Sequence, residues 1–206
     1  MNYHNITYPD MNNGDGLRVT LWLSGCNHHC YNCQNPQTWD ANSGILFDKF
    51  AKEELFKELD KNYISGLTLS GGDPLYETNL DDVLDIVTEF NRRYKNDTIC
   101  SYFGTNNHNI MNKNTDEICL SFGSQKTIWI YSGYTWEEIF PPVQKSELTH
   151  KEMTRQLIVK QCTILVDGQY IDAERDVTLK WRGSNNQRVI DVQKSLQKKE
   201  IILWAD

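Results

Sequence analysis

Three of the six cysteines in this 206-residue chain fall within eight residues, where they could bind a metal or take part in redox chemistry. They are Cys26, Cys30 and Cys33, in the spacing C-x3-C-x2-C. The other three are scattered along the chain, at Cys100, Cys119 and Cys162. Disulfide frameworks spread their cysteines more evenly, and they rarely form in a reducing compartment. The clustering therefore predicts a metal or redox centre on one short loop.

The spacing leaves two kinds of centre open. Three thiolates on one loop can hold one face of a [4Fe–4S] cluster, which has four irons and normally takes four cysteines. No fourth cysteine follows at ferredoxin-like spacing, so the fourth iron would accept a ligand from outside the protein, as a catalytic centre requires. The alternative is a structural zinc ion with His28 or His29 as the fourth ligand. Zinc favours two separated C-x2-C pairs, and only one is present, so the spacing favours the cluster.

The segments around the loop predict the scaffold that positions it. Apolar runs at residues 18–23, 67–69, 127–131 and 163–166 predict four strands. Helical patterns cover residues 48–60 and the stretch after Thr78, which we expect to cap the second helix. Strands that alternate with helices predict an α/β domain with a largely parallel sheet. The carboxyl ends of the strands then meet at one edge, where the cysteine loop also emerges.

Polar turns reach the same edge. The sequence SGGD follows the second strand at residues 70–73, and Ser132 follows the third. Glycines permit a close approach of the backbone, and a carboxylate at a strand end can pair with an ammonium group. Plain strand-to-helix turns are the alternative for both. The polar segment at residues 182–188 could line this edge, dock a partner or form a solvated turn.

The composition limits the class of protein. Hydrophobic residues make up 39% and charged residues 24% of the chain, enough apolar content for one folded core. The formal net charge of −7 predicts no bulk attraction to nucleic acid or to an anionic membrane. No apolar run approaches the ~20 residues of a membrane span, and the first residues lack a secretion signal. We expect a cytoplasmic protein with one domain over residues 1–206, interrupted by an Asn-rich inserted excursion at about 95–126.

The string WLSGCNHHCYNCQNPQTWD resembles the cysteine loop of radical S-adenosylmethionine (SAM) enzymes. It is most similar to that of the activating enzymes of anaerobic (class III) ribonucleoside-triphosphate reductase. Further strings resemble landmarks of that family in the same order: NNGDGLRVTLWLSGC, LSGGDPL, IYSGYTWEEI, LVDGQY and LKWRGSNNQRVID. The resemblance covers nearly the whole chain except about residues 95–126.

The resemblance implies a chemistry and partners. Cys26, Cys30 and Cys33 would hold a [4Fe–4S] cluster whose open iron chelates the amino and carboxylate groups of SAM. One electron would cleave the sulfonium C–S bond, giving methionine and a 5′-deoxyadenosyl radical. That radical would abstract a hydrogen atom from a glycine of the reductase large subunit. A reduced flavodoxin or similar donor would supply the electron, while the protein positions the cofactors.

The resemblance also implies which residues contact SAM. The residue before the third cysteine lies beside adenine in the family and is often aromatic or Gly; here it is Asn32, which suggests a main-chain contact. The SGGD motif would bind the SAM amino group, with Asp73 accepting its hydrogen bonds. The implied set is Asn32, Cys33, Gln34, Ser70, Gly71, Gly72, Asp73 and Ser132.

The fold implied is an incomplete TIM-like barrel of βα units, of the radical SAM type. The chain is short for a complete barrel of ~250 residues, and an incomplete one leaves a lateral opening for the glycine loop of a protein substrate. Two other functions stay open. One is activation of a different glycyl-radical enzyme. The other is a non-enzymatic metal-binding or electron-transfer module, which would bind no SAM and would have a fourth protein ligand.

Overall fold

One seven-stranded sheet organises the protein, in the order β3-β1-β2-β4-β5-β6-β7. The computed structural model describes residues 1–94, 126–141 and 148–204. The strands are β1 (Asn2–Asp10), β2 (Arg18–Leu23), β3 (Ile45–Leu46), β4 (Gly66–Gly71), β5 (Thr127–Tyr131), β6 (Ile164–Asp167) and β7 (Arg188–Asp191). The α-helices are α1 (Lys49–Leu59), α2 (Leu80–Tyr94), α3 (Trp136–Ile139), α4 (His150–Gln161) and α5 (Val192–Lys198).

The four central strands, β2, β4, β5 and β6, run parallel, and antiparallel strands flank them on both sides. Parallel strands are covered by crossover helices, so their side chains are apolar and buried. Val19, Leu21 and Leu23 of β2 alternate with polar residues and point into the main core. The same core receives the apolar faces of α1, α2 and α4. All four central strands therefore end at one edge, above this core.

The opposite face of the sheet holds a buried cation. Arg18 of β2 is fully buried, and its guanidinium donates hydrogen bonds of 2.6–3.0 Å to Thr68 Oγ1, Thr127 Oγ1 and the carbonyls of three residues: Asp15, Leu67 and Thr127. It also lies 5.5 Å from the ring centroid of Trp129. Burial lowers the pKa of Arg18 to about 10, so the group stays charged at neutral pH. This network ties the amino-terminal ends of β2, β4 and β5 together.

The sheet is open. Its two end strands, β3 and β7, do not pair with each other within the ranges described above. In the same ranges, no helix is long and apolar enough to cross a membrane. The architecture is therefore a mixed α/β fold with a parallel centre and an unclosed sheet, in which residues 202–204 pair with β7 on the side away from β6.

The structure confirms the four predicted strands and both predicted helices, with ends shifted by one or two residues. The expected cap is wrong: α2 begins at Leu80, directly after Asn79 rather than Thr78. The Asn79 side chain donates instead to the Ser24 and Asp73 carbonyls, at 2.8 and 3.1 Å. Strands β1, β3 and β7 were not predicted. The inserted excursion lies outside the described residues apart from Lys126.

Candidate active site

A cleft of about 390 Å³ lies at the carboxyl ends of the central strands. All three clustered cysteines line it, together with Gln34 and the end of β4. We call it the cysteine cleft, defined by Cys26, Cys30, Cys33, Gln34 and residues 70–73. Sites in open α/β sheets form at this edge because loops from several strands converge there.

Backbone hydrogen bonds fix the start of the cysteine loop to the end of β4. The Gly72 and Asp73 amides donate to the carbonyls of Leu23 and Gly25, at 2.7 and 2.8 Å. On the other side, the Gly25 and Cys26 amides donate to carbonyls at the end of the loop, at 2.7 and 3.0 Å. The first cysteine is therefore held by both β4 and its own returning loop.

The loop presents its sulfurs in a partly desolvated setting. Each of the three cysteines is half-buried. Desolvation raises the pKa of the Cys26 thiol to about 12, and desolvation also raises that of Cys30. Iron must therefore displace protons from these thiols when it binds, because the thiolate is the ligand form. The Asn35 amide donates to Cys33 Sγ at 3.3 Å, an outer contact typical of iron–sulfur ligands.

The zinc alternative finds no support in the geometry. Across the part of the chain that the structure describes, no three His, Cys, Asp or Glu groups converge on a single ion. Both candidate histidines contact other residues. His28 Nε2 lies 2.7 Å from an Asp73 oxygen, and the His29 ring packs edge-on against Trp39, with 4.8 Å between the ring centroids. Three thiolates on separate irons of a cubane need no such convergence, so the donor set fits a [4Fe–4S] cluster.

The glycine turn after β4 brings backbone against backbone. Gly71 has φ +101°, in the left-handed region that favours glycine. A Cβ on Gly72 would lie 2.5 Å from the Gly25 carbonyl oxygen. The turn can therefore approach the cysteine loop this closely only because both positions lack side chains.

Asp73 is the most highly connected group in the cysteine cleft. It is 1% exposed, and its carboxylate accepts from the Leu75 and Gly133 amides, the Ser132 hydroxyl and His28, at 2.7–3.0 Å. Burial of a charge is tolerated where hydrogen bonds replace the lost water. Asp73 therefore joins the ends of β4 and β5 to the middle of the cysteine loop.

The far wall of the cleft comes from the carboxyl-terminal part of the chain. Tyr170, Trp181 and Arg182 line it, and part of the 182–188 segment thus reaches the edge of the site. A Tyr170 backbone hydrogen bond opposes the rise in the Cys30 pKa, which places that amide beside the thiol. Tyr131, at the end of β5, also lines the cleft, and its buried hydroxyl has no hydrogen-bond partner among the residues that the structure describes.

Most of the residues predicted to contact SAM come together in this cleft. Those that line it are Cys33, Gln34, Ser70, Gly71, Gly72, Asp73 and Ser132. Asn32 is exposed, with φ +54°, and does not line the cleft. No individual role was predicted for Tyr131, Tyr170 or Trp181, although each lies in a string that resembles a family landmark. The adjacent SG and DG turns were the only local signal that these strands end at the site.

Comparison with known proteins agrees with this site. A family model described as a 4Fe-4S single cluster domain matches residues 12–122 and 117–190. An anaerobic ribonucleoside-triphosphate reductase-activating protein from Enterobacteria phage T4 is 33% identical over 192 residues, which are 92% of this chain and 93% of the relative. Proteins of the same name from Escherichia coli (strain K12) and Vibrio cholerae are 31% and 33% identical over 191 and 189 residues. Those matches cover 92% and 91% of this chain, and 97% and 96% of the relatives. The chain therefore belongs to the family of anaerobic ribonucleoside-triphosphate reductase-activating proteins.

Proposed function

We propose that this protein is an enzyme that generates the glycyl radical of an anaerobic ribonucleoside-triphosphate reductase, by reductive cleavage of SAM at a [4Fe–4S] cluster. The observation that carries this function is the cysteine cleft. There, three cysteines that form no single-ion site face a glycine turn, in a chain of the activating-protein family. His28 Nε2 is paired with Asp73, which supports the enzyme over a module in which this histidine is a fourth ligand.

Each residue in the proposed site has a defined task. Cys26, Cys30 and Cys33 would each hold one iron. When bound, the cluster supplies the electron that cleaves the SAM C–S bond and offers its fourth iron to the SAM amino and carboxylate groups. The three cysteines themselves are half-buried, which would limit access of water to the cluster.

We further propose that SAM lies between the cysteine loop and the ends of β4 and β5. The backbone of Asn32 and Cys33, with Gln34, would lie near adenine. Residues 70–73 would surround the amino acid part, and Ser132 would lie near the methionine or ribose. Gly71, Gly72 and Ser132 line the cysteine cleft together with Cys33 and Gln34, which supports this placement.

The open sheet supports an incomplete TIM-like barrel of the radical SAM type, within one domain over residues 1–206 that carries an insertion at about 95–126. Its free edge leaves a lateral path along which a glycine loop of the reductase reaches SAM. We propose reduced flavodoxin or a similar protein as the electron donor, and the cytoplasm as the location. The net charge of −7 supports partners other than nucleic acid or anionic membranes.

The test is an anaerobic activation assay. The reconstituted protein, its reductase, SAM and dithionite are combined, and methionine, 5′-deoxyadenosine and the glycyl-radical signal are measured by chromatography and electron paramagnetic resonance. We expect both nucleoside and radical, and neither with Cys30→Ala. A protein that cleaves SAM but forms a radical only on another glycyl-radical enzyme would contradict the choice of substrate. A protein that cleaves no SAM would contradict the function itself.

A further inference from the structure

We propose that Asp73 and His28 are positioning residues, which lock the cysteine loop to the ends of β4 and β5, and that Asp73 supports SAM binding through this lock rather than as a direct ligand of the SAM amino group. The inference rests on the proposed function. It changes the role that the sequence predicts for Asp73, and it adds His28 to the residues on which the reaction depends.

Hydrogen-bond donors from the protein already fill the acceptor sites of the Asp73 carboxylate. Oδ1 accepts from the Leu75 amide at 2.8 Å and the Ser132 hydroxyl at 3.0 Å. Oδ2 accepts from His28 Nε2 at 2.7 Å, the Gly133 amide at 2.9 Å and the same hydroxyl at 3.0 Å. A carboxylate offers about four lone-pair sites, so these donors leave none for an ammonium group. With a side chain only 2% exposed, Asp73 also presents no free oxygen to the cleft.

His28 belongs to the cysteine loop but points its side chain into the protein. It lies between Cys26 and Cys30, yet its side chain is only 8% exposed because it turns inward to Asp73. Its ring packs edge-on against Tyr134 at 4.8 Å. A Cβ on Gly133 would lie 2.4 Å from the ring, so the ring also fits directly against the turn after β5. The middle of the cysteine loop is thereby fixed to two strand ends at once.

The consequence concerns the distance between the cluster and SAM. The cysteines set the position of the irons, and the ends of β4 and β5 set the position of SAM. The contact between His28 and Asp73, which are 45 residues apart in sequence, links the loop that holds the irons to the strand ends that hold SAM. Ligands of metal centres depend on such outer contacts, and removing one typically costs 10- to 100-fold in affinity or activity.

The test compares four variants in the reconstituted full-length protein without reductase. His28→Leu removes the donor and keeps an apolar side chain, whereas His28→Gln keeps a donor close to the Nε2 position. Asp73→Asn disturbs the other partner. His29→Asn is the control, because it changes the neighbouring histidine at a position with φ +48° that Asn tolerates. SAM affinity by anaerobic calorimetry, iron per chain and the change in the [4Fe–4S]⁺ resonance on SAM addition are measured.

We expect His28→Leu and Asp73→Asn to weaken SAM binding by similar factors of about 10-fold, and to reduce the SAM-induced spectral change. His28→Gln should recover most of the affinity, and His29→Asn should match the wild type. If His28→Leu lost iron and His28→Gln retained it, that result would also support the lock. If Asp73→Asn weakens binding while His28→Leu binds SAM like the wild type, Asp73 is a direct ligand and the inference is overturned.

Gly133→Ala tests the lock from the other side, because the three atoms nearest the added methyl group would all belong to the His28 ring. It should lower SAM affinity in the wild type and have little further effect in a His28→Ala background, the coupling expected of one unit. Equal effects in both backgrounds would refute the lock. A wild-type protein that binds no SAM would refute the proposed function itself, which separates the two failures.

Discussion

Gly72→Ala is the sharpest steric test of the cysteine cleft, because it adds one methyl group where two backbones meet. The new Cβ would lie 2.5 Å from the Gly25 carbonyl oxygen, and 3.0 Å from the carbonyl carbon and amide nitrogen of the same residue. Those atoms are backbone and cannot rotate away. Either the glycine turn or the start of the cysteine loop must therefore move.

The size of that movement follows from the contact distances. Ordinary contacts of a Cβ begin at 3.4 Å, so restoring one from 2.5 Å requires a displacement of about 0.9 Å. The shift also breaks the 2.8 Å hydrogen bond from the Asp73 amide to the Gly25 carbonyl. A misplacement of about 1 Å in an active site can reduce the rate about 100-fold. We expect the rate of glycyl-radical formation to fall by about that factor, with iron per chain retained because all three cysteines still lie on one loop.

The assay measures the glycyl radical by electron paramagnetic resonance, alongside iron content and the circular dichroism of the fold. Gly183→Ala is the comparison, because the two atoms nearest its added Cβ would belong to the Tyr170 side chain, at 3.1 and 3.3 Å. A flexible side chain can give way by a few tenths of an ångström, so we expect a much milder loss. A Gly72→Ala protein that forms the radical at the wild-type rate would refute the idea that this backbone contact sets the distance across the cleft.

Four other predictions concern the cysteines and the buried arginine. Alanine at Cys26, Cys30 or Cys33 should abolish stable iron binding on reconstitution, while Cys162→Ala should keep it. If Cys162→Ala lost its iron as completely as these three variants, the three-cysteine assignment would be contradicted. In the cluster-free protein, the pKa of Cys26 near 12 lowers its thiolate fraction at pH 8 about 1,000-fold relative to the same residue unfolded in urea. Iodoacetamide should therefore label Cys26 far more slowly in the folded protein than in urea, as measured by peptide mapping. Because the unfolded thiol ionises first, the same shift should reduce the stability of the cluster-free fold as the pH rises from about 9 to 12. Arg18→Met should lower the free energy of unfolding by about 3–5 kcal/mol in urea titrations, because it leaves buried acceptors unpaired; a loss under about 1 kcal/mol would show that the network is not stabilising.

The site could be predicted from the sequence where its signals are local. The cysteine spacing, the SGGD turn and the apolar runs that form β2, β4, β5 and β6 all lie within a few consecutive residues. A parallel strand that is buried on both faces consists mostly of apolar residues, so it can be predicted from its own sequence without knowledge of the strands it pairs with. The topology of parallel strands then places their carboxyl ends together, which brings the cysteines and the SGGD turn into one cleft.

Features that depend on distant partners could not be predicted. Strand β1 contains polar residues and a proline, and its burial follows from pairing with β2 rather than from its own pattern. The sequence predicted only that Arg18 begins a strand, because the acceptors of its guanidinium come from residues 50 and 109 positions away. The contact between His28 and Asp73 is of the same kind, since neither residue type nor spacing links positions 28 and 73.

The long sequence separations around Asp73 have a consequence for the biosynthesis of the protein. Its partners come from 45 positions earlier and about 60 positions later in the chain. During translation the cysteine loop emerges first, but the turn after β5 that completes its support is made more than 100 residues afterwards. Contacts this distant form late because long loops must close first. We expect iron delivery to follow completion of the sheet, and amide protection of the loop during refolding to appear together with that of β5. Protection of the loop well before β5 would show instead that the nascent segment can receive iron on its own.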